Sequence, residues 1–64
     1  MVRIRLKKFR ESLHLTQNEI ASEIGITESF YCQIEKGDRN PSYNFLKKFN
    51  TRFPCVSIDE IFFK

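Results

Sequence analysis

The segment from Thr16 to Gly37 constrains the fold most, because it carries start and stop signals for two short helices with almost no chain between them. Thr16, with Glu19 three residues later, has the pattern of a capping box, which opens a helix. Gly25 ends that helix, since glycine adopts the left-handed backbone conformation at little cost. Thr27 is a good N-cap for the next helix, which Gly37 ends in the same way. The segment therefore predicts two helices joined by a tight turn.

Both helices carry apolar residues that face one side, with a small residue where the helices cross. Ala21 lies on the inner face of the first of them, where steeply crossing helices leave room only for a small side chain. The residues expected to fix the crossing angle are Ile20, Ile24, Ile26, Tyr31 and Ile34.

Helical spacing of apolar residues continues on both sides of this pair. A first helix, ended by His14 and Leu15, is predicted to bury Val2, Leu6, Phe9 and Leu13. A fourth helix, capped by Ser42 and stopped by Pro54, is predicted to bury Tyr43, Leu46, Phe49 and Phe53. A second capping box at residues 57–60 opens a fifth helix with Ile58, Ile61 and either Phe62 or Phe63 inward. No segment alternates as a strand would, so the prediction is an all-α fold of five short helices.

The chain is mildly basic, with 11 Lys and Arg against 8 Asp and Glu and a formal net charge of +3. This balance suits a polyanionic partner. Residues 1–10 carry five basic side chains and no acidic one. Taken alone, that segment is best interpreted as the solvated face of an amphipathic helix.

Length and composition also argue against several classes of protein. A chain of 64 residues can build one hydrophobic core, so a single domain is expected over 1–64. No apolar stretch approaches the roughly 20 residues of a membrane span, and none follows the basic start as in a signal peptide. Cys32, Cys55 and His14 are too few for a disulfide framework or a metal site. We expect free thiols, a reducing cytoplasmic location, and no metal, cofactor or small-molecule ligand.

The strongest evidence for function is the continuous run over residues 16–42, which is TQNEIASEIGITESFYCQIEKGDRNPS. It resembles the Xre-type helix-turn-helix family of lambdoid phage repressors and Cro proteins, and the resemblance extends from about Leu6 to about Phe62. The implied fold is a compact, five-helix, lambda-repressor-like DNA-binding domain with its helix-turn-helix at about 16–36.

The resemblance implies that the third helix enters the major groove of double-stranded DNA and that the second lies across the backbone. Gln33 could bond an adenine in bidentate fashion, and Gln17 would clamp a phosphate together with helix N-terminal N–H groups. The bases would be read by Thr27, Glu28, Ser29 and Gln33. The DNA backbone would be contacted by Gln17, Asn18, Phe30, Lys36, Arg39, Asn40 and Ser42.

Several of these roles have a simpler alternative. Glu28 could accept a hydrogen bond from cytosine, or it could only complement the charge of the helix N-terminus. Phe30 could touch a thymine methyl or the sugar-phosphate, or it could pack against the fourth helix. Gln17 could be an ordinary first helical residue, and the segment 36–42 could be a solvated loop.

The resemblance also implies an ion pair between Arg10 and Glu35, which would orient the third helix. The chain departs from the family pattern at Asn50, where a small apolar residue is usual, and at Pro54 and Cys55, which replace a single glycine. Cys32 stands where the family has a small polar residue, and we expect it to be a passive filler.

A dimer interface is predicted at the C-terminal end. Consecutive Phe residues cannot both face one small core, so either Phe62 or Phe63 should be left on the surface. Proteins with this motif commonly bind two half-sites about 34 Å apart through two-fold symmetry. The expected interface of a weak homodimer comprises Val56, Ile58, Phe62 and Phe63.

The leading functional hypothesis is a sequence-specific transcriptional regulator, most simply a repressor that binds a palindromic operator. The alternative is a protein-interaction module with the same fold, such as an antitoxin or adaptor. Affinity for DNA that falls steeply with salt separates the two. An enzyme is disfavoured, because the sequence has no Ser, His and Asp set, no glycine-rich phosphate loop and no candidate catalytic residue.

Overall fold

The computed structural model describes residues 2–63, and this part of the chain folds into five α-helices without a strand. The helices are α1 (Ile4–Ser12), α2 (Gln17–Ile24), α3 (Glu28–Lys36), α4 (Tyr43–Arg52) and α5 (Ile58–Phe62). The predicted all-α fold is confirmed. None of the helices between residues 2 and 63 has the length and apolarity that crossing a membrane requires.

Four helices begin at a hydroxyl side chain that accepts a backbone hydrogen bond. The capping box of α2 is complete, because Thr16 accepts from the Glu19 amide at 3.1 Å while the Glu19 carboxylate accepts from the Thr16 amide at 2.9 Å. The helices α3, α4 and α5 begin in the same way at Thr27, Ser42 and Ser57. The box predicted at α5 is only half formed, since Ser57 accepts from the Glu60 amide but the bond in return is not made.

The turn between α2 and α3 depends on Gly25, whose φ of 93° lies in the left-handed region. In this conformation the amides of Gly25 and Ile26 both donate to the Ala21 carbonyl, at 2.9 and 3.0 Å. Ala21 is 1% exposed and leaves space for the close approach of α3. The two helices are thus joined by a tight turn that is held by two backbone hydrogen bonds.

The core lies where all five helices meet. Its buried hydrophobic residues are Leu6, Ile20, Ala21, Ile24, Tyr31, Ile34, Phe45, Phe49 and Phe62. One charged residue, Glu35, is buried as well. Aromatic rings supply much of its volume. Phe62 meets Phe45 and Phe49 edge to face at 5.7 and 5.3 Å between ring centroids, a favoured aromatic geometry.

The buried face of α4 differs from the prediction. Tyr43 is 77% exposed, whereas Phe45, which the prediction omitted, is 1% exposed. Tyr43 lies six positions before Phe49, which at 100° per residue places it about 120° around the helix. Phe45 lies only about 40° away, so the face centred on Phe49 includes Phe45 and leaves Tyr43 in solvent.

The stripe predicted for α1 is buried only in its middle. Leu6 is fully buried and Phe9 is half-buried, but Val2 and Leu13 are 46% and 39% exposed. Both exposed residues lie outside the helix, which begins at Ile4 and ends at Ser12, so helical spacing does not govern where they point.

Candidate nucleic-acid interface

One face of α3 carries polar side chains that point away from the core. Glu28, Ser29 and Gln33 are exposed, and Ser29 and Gln33 lie one turn apart. They line a shallow surface recess together with Cys32, Lys36 and Asp38. Amide, hydroxyl and carboxylate groups on one face can both donate and accept hydrogen bonds, as recognition of base edges in the major groove requires.

Thr27 lies at the N-terminal end of this face, and its hydroxyl already makes one hydrogen bond within the protein. Its hydroxyl accepts from the Phe30 amide at 3.2 Å and so caps α3. The hydroxyl proton is not used by that bond and can still donate. Glu28 follows in the first turn, where its charge complements the helix dipole while its side chain remains exposed.

A buried carboxylate connects three helices and fixes the orientation of α3. Glu35 is 4% exposed, and Arg10 donates to it twice, from Nε at 3.0 Å and from Nη2 at 3.3 Å. Gln17 donates from Nε2 at 3.1 Å, and the Tyr31 hydroxyl donates at 2.6 Å. Arg10 also donates to the Leu15 carbonyl at 2.8 Å. Helices α1, α2 and α3 therefore share one polar junction.

The hydrogen bonds set the ionisation of this junction. Burial alone would raise the pKa of Glu35, but hydrogen bonds from Arg10, Tyr31 and Gln17 outweigh burial and hold that pKa below its ordinary value. Burial, followed by the hydrogen bond to Glu35, raises the pKa of Tyr31. The hydrogen bond to Glu35 raises the pKa of Arg10. At neutral pH the junction is thus an ionised carboxylate held by a guanidinium and a protonated phenol.

Gln17, the expected phosphate clamp, lies between this junction and the surface of α3. Its amide nitrogen donates to Glu35, while its amide oxygen accepts from the Cys32 thiol at 3.2 Å. One N–H of the amide is used by Glu35, which leaves the other available at the half-buried edge of the site. Cys32 therefore helps to orient the Gln17 amide. The prediction of a passive filler at Cys32 did not include this contact.

The loop between α3 and α4 carries the other residues expected at the DNA backbone. Lys36, Arg39 and Asn40 are exposed at the C-terminal end of α3. Asn40 accepts from Nη2 of Arg3 at 3.4 Å, and the Ser42 hydroxyl accepts from the Phe45 amide at 3.1 Å. Asn18, at the start of α2, is exposed as well.

Comparison with known proteins agrees with this geometry. The sequence model of the helix-turn-helix family matches residues 6–61. The chain belongs to the Xre-type helix-turn-helix family. Members of this family are DNA-binding proteins and not enzymes.

Similar curated proteins come from archaea. The chain is 34% identical over 61 residues to two uncharacterised HTH-type transcriptional regulators of Archaeoglobus fulgidus, covering 89% of this chain and 86% and 87% of theirs. It is also 34% identical over 58 residues to one of Methanocaldococcus jannaschii, covering 91% of this chain and 86% of that protein. No solved structure matches at comparable significance.

The predicted dimer interface requires one correction. Phe62 is 8% exposed and belongs to the core, so it cannot offer a surface to a second copy, whereas Phe63 is 63% exposed. Val56 and Ile58 are half-buried against the core. Next to Phe63 the structure places two further exposed apolar side chains, Val2 and Ile4, which the sequence did not suggest.

Two residues of the site were missed by sequence reasoning. Tyr31 was assigned to the core only, yet its hydroxyl holds Glu35, and the spacing of four residues on one helix was a usable signal. Arg3 looked like one of several solvated basic residues. Its amide donates to the Glu35 carbonyl at 2.8 Å, so it binds the end of α3 through a contact that no local pattern reveals.

Proposed function

We propose that the protein is a sequence-specific transcriptional repressor that binds a palindromic operator as a dimer. The observation that carries this proposal is the exposed polar face of α3, which is held in place by the buried junction at Glu35. A base-reading helix needs both features. Its side chains must be free to meet base edges, and its backbone must be fixed so that recognition does not cost ordering entropy.

In the proposed complex α3 lies in the major groove. Gln33 accepts from and donates to an adenine, and Ser29 contacts a neighbouring base. Glu28 accepts from a cytosine, which its exposed position supports, and Thr27 donates from its hydroxyl proton. These four residues supply the specificity, because contacts to the DNA backbone carry no direct sequence information.

Backbone contacts in the proposed complex come from both sides of α3. Gln17 and Asn18 meet a phosphate at the N-terminus of α2, where unpaired helix N–H groups favour an anion. On the other side, Lys36, Arg39, Asn40 and Ser42 meet the flanking strand. Lysine and arginine contacts of this kind make affinity strongly dependent on salt.

The dimer is proposed on dimensions and on the surface near α5. The described chain measures 24 × 24 × 23 Å, so one copy cannot reach two major-groove faces about 34 Å apart. Phe63, with the exposed Val2 and Ile4 beside it, offers an apolar surface for a weak contact between two copies. The half-buried Val56 and Ile58 are proposed to contribute to it.

Selection of binding sites from random-sequence duplexes tests the proposal. We expect one enriched, two-fold symmetric sequence, with log affinity for the selected duplex falling linearly with log salt between about 50 and 200 mM. The exposed apolar side chains near Phe63 would also suit a protein-interaction module, such as an antitoxin or adaptor. No enriched sequence and an affinity for DNA that does not respond to salt would favour that alternative over the repressor.

A further inference from the structure

Phe30 lies on α3 between the aromatic core and the loop that follows the helix. Its half-buried ring stacks on Phe45, with 6.1 Å between centroids and 17° between planes. Phe45 in turn stacks on Phe49 at 6.1 Å and 24°. Since Phe45 and Phe49 are 1% and 0% exposed, the Phe30 ring packs directly on the buried aromatic core.

The guanidinium of Arg39 lies over the ring of Phe30. The central carbon of that guanidinium is 5.0 Å from the ring centroid, within the range of a cation–π interaction. The main chain of Arg39 is also held, because its amide donates to the Gln33 carbonyl at 3.2 Å and its carbonyl accepts from Arg3 at 3.5 Å. Both the backbone and the charged end of this exposed side chain are therefore placed before any partner arrives.

The hydrogen-bond donors of Arg39 remain unused within the part of the chain that the structure describes. Over residues 2–63 the ion pairs are Arg10 with Glu35 and Arg52 with Glu23, and the Arg39 guanidinium donates to no protein acceptor. A guanidinium that lies over a ring still has N–H groups free for a bidentate contact with phosphate oxygens.

We propose that Phe30 is a positioning residue that holds the Arg39 guanidinium where it meets a DNA phosphate, instead of contacting DNA itself. This inference rests on the proposed DNA-binding function. An arginine on a flexible loop loses much rotamer freedom when it binds, and placement on a fixed ring removes part of that cost. Phe30 thereby connects the aromatic core to the affinity for the DNA backbone.

A double-mutant cycle in the full chain tests the inference. The variants are Phe30→Leu, Arg39→Ala and the double substitution, each measured against a labelled random-sequence duplex and the selected operator over a range of salt. Leucine retains apolar packing against Phe45 but has no ring face. We expect Phe30→Leu to weaken binding to both duplexes about two- to five-fold. Arg39→Ala should lower the salt slope by about one.

The decisive comparison is the effect of Phe30→Leu when Arg39 is already absent. If Phe30 acts through Arg39, Phe30→Leu has no further effect on affinity in the Arg39→Ala background, and Phe30→Tyr, which keeps the ring, binds like the wild type. Equal losses in both backgrounds would overturn the inference and assign Phe30 a direct contact with DNA. Unchanged affinity of Phe30→Leu would overturn it too.

A measurement on the wild-type protein covers the case in which Phe30→Leu does not fold. The side-chain protons of Arg39 should show upfield ring-current shifts in NMR spectra, and shifts typical of a free arginine would overturn the inference.

The outcomes of the binding measurements also separate this inference from the proposed function. Binding of the selected operator with an additive cycle overturns only the role of Phe30, whereas failure of the wild type to bind any duplex overturns both.

Discussion

Arg10 of α1 and Glu35 of α3 are joined by two hydrogen bonds at once, from Nε to Oε2 at 3.0 Å and from Nη2 to Oε1 at 3.3 Å. Their side chains are only 13% and 5% exposed, so solvent screens the pair little. Such a pair is poor evidence of net stability, because removing both charges from water is costly. Its two-point geometry instead fixes how α3 is presented on the surface.

Removing one partner of this pair should cost more than removing both. Arg10→Met leaves the Glu35 carboxylate buried with only Tyr31 and Gln17 as partners, and we expect a loss of about 3 kcal/mol in the free energy of unfolding. The double variant Arg10→Met, Glu35→Leu should lose less. Arg52→Met is the matched control, because its pair with Glu23 is 50% and 41% exposed and should contribute less than about 1 kcal/mol. Chemical denaturation of the four proteins measures these values, and an Arg10→Met variant as stable as the wild type would contradict the role of the pair.

Glu35 should also make stability depend on pH in the acid range. Its folded pKa lies below the ordinary value of 4.5, because hydrogen bonds to the charged form outweigh burial. A lowered folded pKa contributes stability that is fully present above the unfolded pKa and is lost as the pH falls through the folded pKa. The stability advantage of the wild type over Glu35→Gln should therefore shrink between about pH 5 and about pH 3. Denaturation at a series of pH values checks this, and a constant difference over that range would show that Glu35 does not titrate as described.

Alanine substitutions of two aromatic residues in the first turn of α4 should differ strongly in their effect on stability, because one residue is buried and the other is exposed. Phe45→Ala should destabilise by about 3–5 kcal/mol, because it empties a fully buried site between Phe49 and Phe62. Tyr43→Ala should change stability by no more than about 0.5 kcal/mol, since that side chain is 77% exposed. Thermal unfolding of both variants provides the comparison, and similar losses for the two would mean that α4 is rotated from the orientation described.

The helix boundaries could be predicted from the sequence because their causes are local. Thr16, Gly25 and Thr27 act through hydrogen bonds and backbone conformation within a few residues, so the sequence contains the whole interaction. The face of α4 was predicted wrongly, although helical geometry carries a signal for it. Phe45 lies about 40° from Phe49 around the helix and is buried, whereas Tyr43 lies about 120° away and is exposed.

Most residues of the site were predictable only where a family pattern covers them, and the exception is Tyr31, whose spacing of four residues from Glu35 was a local signal. Arg10 and Glu35 are 25 residues apart, and their expected pairing came from the resemblance and not from spacing. The bonds of Arg3 to the loop after α3 and of Cys32 to Gln17 join residues 37 and 15 apart and have no such pattern. They arise from the tertiary fold, which no local signal encodes.

The proposed dimer predicts different outcomes for the two consecutive Phe residues. Phe63→Glu should stay folded, since the side chain is 63% exposed, and should weaken dimerisation on the operator. Phe62→Glu places a charge in the core and should unfold the chain. Sedimentation of the protein with the selected duplex measures the stoichiometry. One wild-type chain per full operator, or unchanged affinity and cooperativity of Phe63→Glu, would contradict a dimer through this surface.

Gln33→Ala separates base recognition by α3 from general affinity for DNA. The measurement is affinity for the selected operator and for a random-sequence duplex, with Asn50→Ala, an exposed polar residue of α4, as the matched control. If α3 reads the bases, Gln33→Ala loses about 1–3 kcal/mol on the operator and relaxes preference at one base position, while binding of the random duplex and both affinities of the control stay unchanged. Equal losses of Gln33→Ala on the operator and the random duplex would contradict the assignment of α3 as the helix that reads the bases.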